Sequence, residues 1–468
     1  MTVTAGTAAS AATQPNGHRS AERIGRTDAG PRPLPPLGTQ RSVADLDLAD
    51  RTLDSGLRVI AVARRTVPTV ELRLRIPFAD ADPKHPARAE LVASALLCGT
   101  ERRGRVEIDD ELATIGGELG ASVDPERLLI SGSALASGLP TLLDVLADLV
   151  TSAAYPDGDF TRERERLVER ITVARSQPRT IAREALQQRR YGDHPISREM
   201  PQASDVAAVA PAEARELHRA AVLPTGSTLV LVGDIDPVAA IDTVAEALAG
   251  WATPGTAAEM PPLPVLTARD LLLVDRPGSV QSQLRFSAPA VPRTDPRYPA
   301  LQLANLVLGG YFSSRLVENL REDKGYTYSA SSYLEFSPTA ATLTVDTDVT
   351  TDVTAAAVLE TRYELARLSA VPPTEAEIES ARRYAIGSLL ISLDSQGGLA
   401  STLGAMAAVG LDASWLRAHP ARLEAVTPEQ VAAAAEEFFT PTAFTGVIVG
   451  DAATVGARLR ALGGIELP

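Results

Sequence analysis

From Asp47 onward the hydrophobic positions follow two registers. "LRVIAVA" (57–63) and "TVELRLRIPF" (69–78) are β-branched and alternating, which predicts paired strands separated by the turn "ARRTVP". "ARAELVASALL" has helical composition, "IDDELATIGGELGASV" reads as a second helix ended by glycines, and "RLLISGSAL" as a strand. "SGLPTLLDVLADLVTSA" places Leu and Val at helical spacing, and "TRERERLVERITVARSQ" predicts a long charged amphipathic helix. After "TGSTLVLVGDID" this order closes with the helix "VAAIDTVAEALAGW".

Residues 252–266, "ATPGTAAEMPPLPVL", are Pro-rich with little periodicity and read as a linker. Beyond it the order recurs: strands "DLLLVD" and "SQLRFSAP", helices "YPALQLANLVLGG" and "SSRLVENLREDKG", strands "YTYSASSYLEF" and "ATLTVDTDV", then long helices around 353–369 and 373–393. "LVLVGDID" matches "TGVIVGDAATV", with Asp234 and Asp451 each following Val-Gly, 217 positions apart. The repeated order supports a duplication. Two αβ halves of this kind predict an α+β fold, each half a mostly antiparallel sheet covered by helices.

Composition narrows the function. Residues 1–40 are rich in Ala, Thr, Ser, Gly and Pro, end in "GPRPLPPLG" and hold few large apolar residues to offset ordering entropy, so a disordered leader is expected. The 45% hydrophobic content is enough for a large core. Against 59 acidic residues stand 45 basic ones, a formal charge of −14, which disfavours nucleic acid as a partner. Cys98 is the only cysteine; an intrachain disulfide is excluded, and a buried small hydrophobe is the expected role. No apolar run approaches the roughly 20 residues that span a bilayer, and no secretion signal is evident at the N-terminus. No membrane association and a cytoplasmic location are the expectations.

"GLRVIAVARRTVPTVELRLRIPFADADP", the helix leading to "CGT", and "LGGYFSSRLVENLREDKGYTYSASS" together resemble the M16 metallopeptidases, the inverted zinc-motif family that includes mitochondrial processing peptidase, pitrilysin and insulin-degrading enzyme. The resemblance covers about 42–468, is most specific over 308–329, and points to a non-catalytic subunit of the M16B type. It implies a LuxS/MPP-like metallohydrolase fold with a leader (1–40), an N-terminal M16-like domain (41–251), the linker (252–266) and a C-terminal M16-like domain (267–468).

Active members carry His-x-x-Glu-His on the helix before a Gly-Thr, which sets two imidazoles on one helix face with a Glu to activate a zinc-bound water. Counting back from Gly99 and Thr100, those positions are Glu90, Leu91, Val92, Ala93 and Ser94. Both histidines and the base are missing. The third ligand, a Glu 75 to 80 residues further on in the family, aligns with Arg170, with Glu169 beside it. His18, His85, His194, His218 and His419 show no ligand spacing and are expected at the surface or in caps, His194 holding a loop. No metal is expected in this chain, and alone it is not expected to hydrolyse peptides with zinc.

The family's inactive half typically carries an Arg and a Tyr seven residues apart in its second domain. Here "NLREDKGYTY" supplies Arg321 and Tyr328. The resemblance assigns them to a substrate carbonyl, or to the oxyanion formed in a partner's zinc site, where a guanidinium and a phenol offer fixed donors. The structural alternatives are an ion pair of Arg321 with Glu318 or Glu322, and a half-buried strand aromatic for Tyr328. Gly309 and Gly310 admit a helix end, a turn, or a backbone that approaches a bound peptide. A structural ion pair is expected of Arg315.

The resemblance implies a heterodimer: a second M16B chain bearing His-x-x-Glu-His and zinc, closing with this one around a peptide, for turnover or for leader removal. The competing readings are a silent scaffold subunit, as in the core proteins of the respiratory bc1 complex, and a homodimeric peptide-binding protein.

Overall fold

A computed structural model describes residues 45–252 and 254–468. The leader expected over residues 1–40 lies outside the described residues. Twelve strands among them form two six-stranded sheets. The first holds β1 (Leu48–Thr52), β2 (Arg58–Ala63), β3 (Thr69–Pro77), β4 (Glu118–Val123), β5 (Arg127–Leu135) and β6 (Thr228–Gly233) in the order β1-β2-β6-β3-β5-β4. The second holds β7 (Leu271–Asp275), β8 (Gln281–Pro289), β9 (Ala330–Phe336), β10 (Ala341–Thr350), β11 (Thr445–Gly450) and β12 (Ile465–Glu466) in the order β12-β7-β11-β8-β10-β9.

Five neighbouring strands correspond one to one. In each sheet the last strand in sequence before the closing helix, β6 or β11, inserts between the first hairpin-related strands, parallel to one (β2, β7) and antiparallel to the other (β3, β8). The Val-Gly-Asp phrases therefore sit at equivalent places, where Asp236 and Asp451 cap the helices Pro237–Ala247 and Ala452–Leu462. The duplicated order read from the sequence is present in three dimensions.

Each half also covers the other's sheet. Val59, Ala61, Leu229 and Leu231 pack into a core with first-half helices, while Ile60, Val62, Val230 and Val232 on the opposite face join the second-half core. Burial on both faces explains why β2 and β6 read as unbroken apolar runs. The covering element is the helix Gln396–Ala407, which packs on β3 and β6. Gln396 ties its start to the first half through Thr69 Oγ1 (2.5 Å) and the carbonyl of Arg64 (2.6 Å). Reciprocally, the helix Pro178–Tyr191 packs on β8 and β11. Its Arg190 donates to Ser287 Oγ (2.9 Å) and pairs with Glu335 (2.7 Å), and Arg189 chelates Glu466.

The structure corrects several expectations. The helix read from Ile108 to Val123 is a helix only over Arg105–Thr114; the left-handed Gly116 (φ 59°) turns the chain into β4. β9 begins at Ala330, so Tyr326 and Tyr328 precede the strand. Of the four described histidines, His85, His218 and His419 are buried rather than superficial, because aromatic neighbours and hydrogen-bond partners accept a neutral ring. His218 donates from Nε2 to the Val150 carbonyl and accepts from Tyr155 Oη. His194 does hold a loop, bonding the Ile196 N–H and the Pro261 carbonyl. Cys98 is buried, and burial pushes its thiol up to about 11.

Candidate functional site

Two regions hold the residues singled out from the sequence, and they occupy equivalent corners of the halves. The helix His85–Ala95, after β3, packs beside the edge strand β4; the helix Tyr298–Asn305, after β8, runs into a segment beside the edge strand β9.

On His85–Ala95, Leu91, Val92 and Ala93 are buried. The helix Asp157–Ser176 brings Arg170, not Glu169, to Glu90 and Ser94, with Arg170 Nη2 3.4 Å from Ser94 Oγ. Burial raises the Glu90 carboxyl, and the Arg170 charge acts against that rise. One carboxylate, one hydroxyl, one methyl and a guanidinium do not fit zinc, which needs imidazole, thiolate or several carboxylates. Among the described residues no group of three or more His, Cys, Asp or Glu side chains is placed to hold a metal.

The turn after this helix is built firmly. Gly99 takes φ 147°, and Thr100 Oγ1 donates to Asp148 at 3.1 Å while accepting from the Arg102 and Arg103 N–H groups. Asp148 is buried and pairs with Arg102 (2.6 Å) and Arg103 (2.5 Å). The Gly-Thr after the helix thus anchors the turn whether or not the helix carries ligands.

In the second half the chain departs from α-helical winding twice, over Leu306–Gly310 and Val317–Asp323, both with i→i+5 geometry. Such widened turns recur at functional sites. Arg321 projects from the second of them. Its guanidinium carbon lies 4.9 Å from the centre of the Phe312 ring and 5.2 Å from that of Tyr328, and its Nε is 3.3 Å from Glu322. The fold brings Arg321 and Tyr328 together through the left-handed Gly325 (φ 64°). Tyr328 is 87% exposed and Phe312 65% exposed. Tyr328 is therefore not a half-buried strand residue, and Phe312, the third member of the clamp, was not singled out from the sequence. Its period gave no signal: Leu308 and Leu316 stand four residues to either side, the spacing of a core position on a helix.

Gly309 and Gly310 are fixed by packing. A Cβ on Gly309 would stand 2.7 Å from the Ser332 backbone nitrogen, and one on Gly310 would stand 2.7 Å from Leu306 Cδ2. Gly309 is buried against β9, so its want of a side chain serves helix–strand contact. Arg315 makes the expected ion pair, a fork on Glu377 at 2.7 and 3.1 Å. Burial pushes the Glu377 carboxyl up, but the Arg315 and Thr374 donors outweigh it and hold the group at about 2.

Comparison with known proteins decides the family. Residues 79–203 match "Insulinase (Peptidase family M16)" and residues 208–384 match "Peptidase M16 inactive domain". The chain belongs to the M16 peptidase family. Among relatives of this M16 chain, an uncharacterized zinc protease of Streptomyces coelicolor is 24% identical over 397 residues, 82% of this chain and 86% of the relative. An uncharacterized zinc protease of Mycobacterium tuberculosis is 26% identical over 375 residues, 78% and 85% of the two chains. The peptidase M16 inactive domain of Pseudomonas fluorescens superposes with a TM-score of 0.79 at 22% identity, over 86% of this chain and 98% of that one. The periplasmic protease of Escherichia coli superposes at 0.73 and 18% identity; it covers 94% of this M16 chain, which in turn spans only 49% of that protein. At these identities the structural likenesses show the fold. No helix among the described residues is long and apolar enough to cross a membrane.

Proposed function

We propose that this M16 chain is the substrate-wall subunit of a two-chain peptidase, completing a site whose zinc is held by a partner bearing His-x-x-Glu-His. The observation that carries the reading is the exposed clamp of Phe312, Arg321 and Tyr328. A guanidinium stacked on two rings is limited in its rotamers; its Nε lies beside Glu322, and its terminal N–H groups are the ones offered to a peptide carbonyl. Tyr328 adds an O–H at the same surface. The edge strands β4 and β9 each have one unpaired side, which suits a peptide bound in extended form. With Ala93, Ser94 and Arg170 at the positions of base and ligands, this chain offers no hydrolytic chemistry of its own. The half-length match to the Escherichia coli protease is in keeping with a second M16 unit being needed.

The test mixes the purified chain with a zinc-bearing M16 chain and follows peptide cleavage. Turnover is expected to rise strongly on mixing, and to fall for Arg321→Ala and Tyr328→Phe while the complex still elutes as a heterodimer. Parent-like turnover in both variants would favour the scaffold reading, for which the clamp has no use.

A further inference from the structure

A cleft of about 380 Å³, far more than an isolated water needs, lies where the two halves meet the linker. The first half lines it with the end of β3, the start of β6 and the turn between β4 and β5. From the second half come Pro338 and Thr339 of the β9–β10 turn and the end of the helix Gln396–Ala407, and residues 258–260 of the linker complete the lining.

Four charged side chains line this cleft: Arg75, Glu126, Arg127 and Glu259. Arg127 is paired with Asp124 at 2.8 Å. Arg75 has no ion pair and no hydrogen bond among the described residues; charges act on it only at longer range, Arg127 repelling it and Asp124 and Glu126 attracting it. Burial, with that repulsion adding to it, lowers the guanidinium to about 10. The Glu126 carboxylate is likewise without a donor among the described residues, and burial, with the Asp124 charge adding to it, raises the group.

Neither charge is sealed in. No unpartnered nitrogen of Arg75 and no unpartnered oxygen of Glu126 is cut off from solvent. Both side chains are anchored at their bases. The Arg75 stem runs along the helix Gln396–Ala407, its Cδ 3.7 Å from where a Cβ on Gly404 would stand. Glu126 is fixed in its turn, its N–H on Asp124 Oδ1 (2.9 Å) and its carbonyl accepting from the Phe78 N–H (2.9 Å). A lone cation and a lone anion thus share one partly buried cleft without meeting. The rest of the lining is largely apolar, with Ile76, Pro77, Met260, Pro338, Ala407 and Ala408.

We propose that this cleft binds an α-amino acid in its zwitterionic form, the carboxylate on Arg75, the ammonium on Glu126 and an apolar side chain against Met260 and Ala407. A carboxylate matches a guanidinium fork, and no charge of the ligand or of the cleft is then left unpaired. A simple anion would meet Glu126 and Glu259 as like charges, which disfavours it. Because both halves and the linker contribute, the ligand ties them together and stabilises the folded chain. The assignment is independent of Arg321, of Tyr328 and of any partner chain.

The test titrates the full chain with L-leucine by calorimetry. A saturable Kd of about 1 mM or below is expected, with a rise in unfolding temperature at saturation. N-acetyl-L-leucine, which lacks the ammonium, and L-leucinamide, which lacks the carboxylate, are each expected to bind roughly tenfold more weakly. Arg75→Met, which keeps an apolar stem on Gly404, is expected to weaken L-leucine by a similar factor. Glu126→Gln is expected to weaken L-leucine and to leave N-acetyl-L-leucine unaffected. Equal binding of the three ligands, parent-like binding by both variants, or no saturation up to about 10 mM overturns the assignment. Sulfate binding that depends on Arg75, without a response to L-leucine, overturns it in favour of a plain anion site. Should Arg75→Met fail to fold, the three ligands on the parent and Glu126→Gln decide.

Discussion

The guanidinium carbon of Arg321 stands 5.2 Å from the ring centre of Tyr328, across a helix end and a left-handed glycine, and 4.9 Å from that of Phe312. Neither aromatic is needed for the core. If the clamp exists to hold Arg321 for a substrate, its members should rank by distance from the chemistry. Arg321→Ala should lower turnover of the assembled peptidase on the order of 100-fold, the scale of losing one oxyanion donor. Phe312→Ala should cost only roughly threefold, the scale of one exposed cation–π contact. Steady-state kinetics of the two mixtures checks the ranking, and unchanged unfolding temperatures would show that both act locally.

Arg170 lies beside Ser94, the two positions that the resemblance aligns with metal ligands of active M16 members. Elemental analysis of the isolated parent is expected to show no stoichiometric zinc. Replacing four side chains together, Glu90→His, Ala93→Glu, Ser94→His and Arg170→Glu, should create two imidazoles and a carboxylate converging from two packed helices. About one zinc per chain is expected in that variant. Failure to bind zinc would mean that the helices are not set at a metal-binding distance.

The Arg315–Glu377 fork ties the segment before the clamp to the helix Glu375–Asp394, and the Arg315 side chain is only 5% exposed. Removing one partner leaves a buried charge uncompensated. Glu377→Ala is expected to lower stability by about 3 kcal/mol, measured by denaturant unfolding, while Glu379→Ala on the exposed side of the same helix should cost about 0.5 kcal/mol or less.

Gly309 faces the backbone of Ser332 too closely for a side chain. Gly309→Ala should push β9 from the 306–310 segment and destabilise by about 1 to 3 kcal/mol. Thermal unfolding reads the loss, and a neutral result would mean that this segment yields freely.

Burial lowers His218 and His419 each to about 4. An unfolded imidazole titrates near 6.5, so as the pH falls the unfolded chain takes up protons first. The stability conferred by the neutral rings is complete above about pH 6.5 and is lost as the pH falls toward 4, by about 3 kcal/mol per histidine. Glu377, held at about 2, titrates in a lower window, its contribution present above about pH 4.5 and lost toward pH 2. Unfolding midpoints should fall between pH 6.5 and 4, and His419→Phe, which keeps a ring for the Trp415 stack, should flatten part of that fall.

Local pattern was enough for much of the fold. β2, β3, β5, β8 and β10 and the long helices lay near their expected positions, because period-2 and period-3.6 burial is written directly into side-chain order. Spacing from Gly99 and Thr100 pointed to Glu90, Ser94 and Arg170 as one group, and Arg170 does lie beside Glu90 and Ser94. Other features left no local trace. The exchange of helices between halves depends on which sheet face is left uncovered, so Arg190 on Ser287 and Gln396 on Thr69 join residues 97 and 327 positions apart. The burial of His218 and His419 follows from rings and carbonyls contributed by other segments.

The amino-acid order alone determined the duplicated α+β plan, the absence of a His-x-x-Glu-His string and the nearness of Arg321 to Tyr328 around a glycine turn, since each depends on patterns a few residues long. Only the tertiary structure decided that Phe312 joins Tyr328 on Arg321, that Gly309 packs against β9, and that His419 stacks on Tyr298 as well as on Trp415. Those relationships join segments distant in the chain, and it is packing in space that fixes their distances.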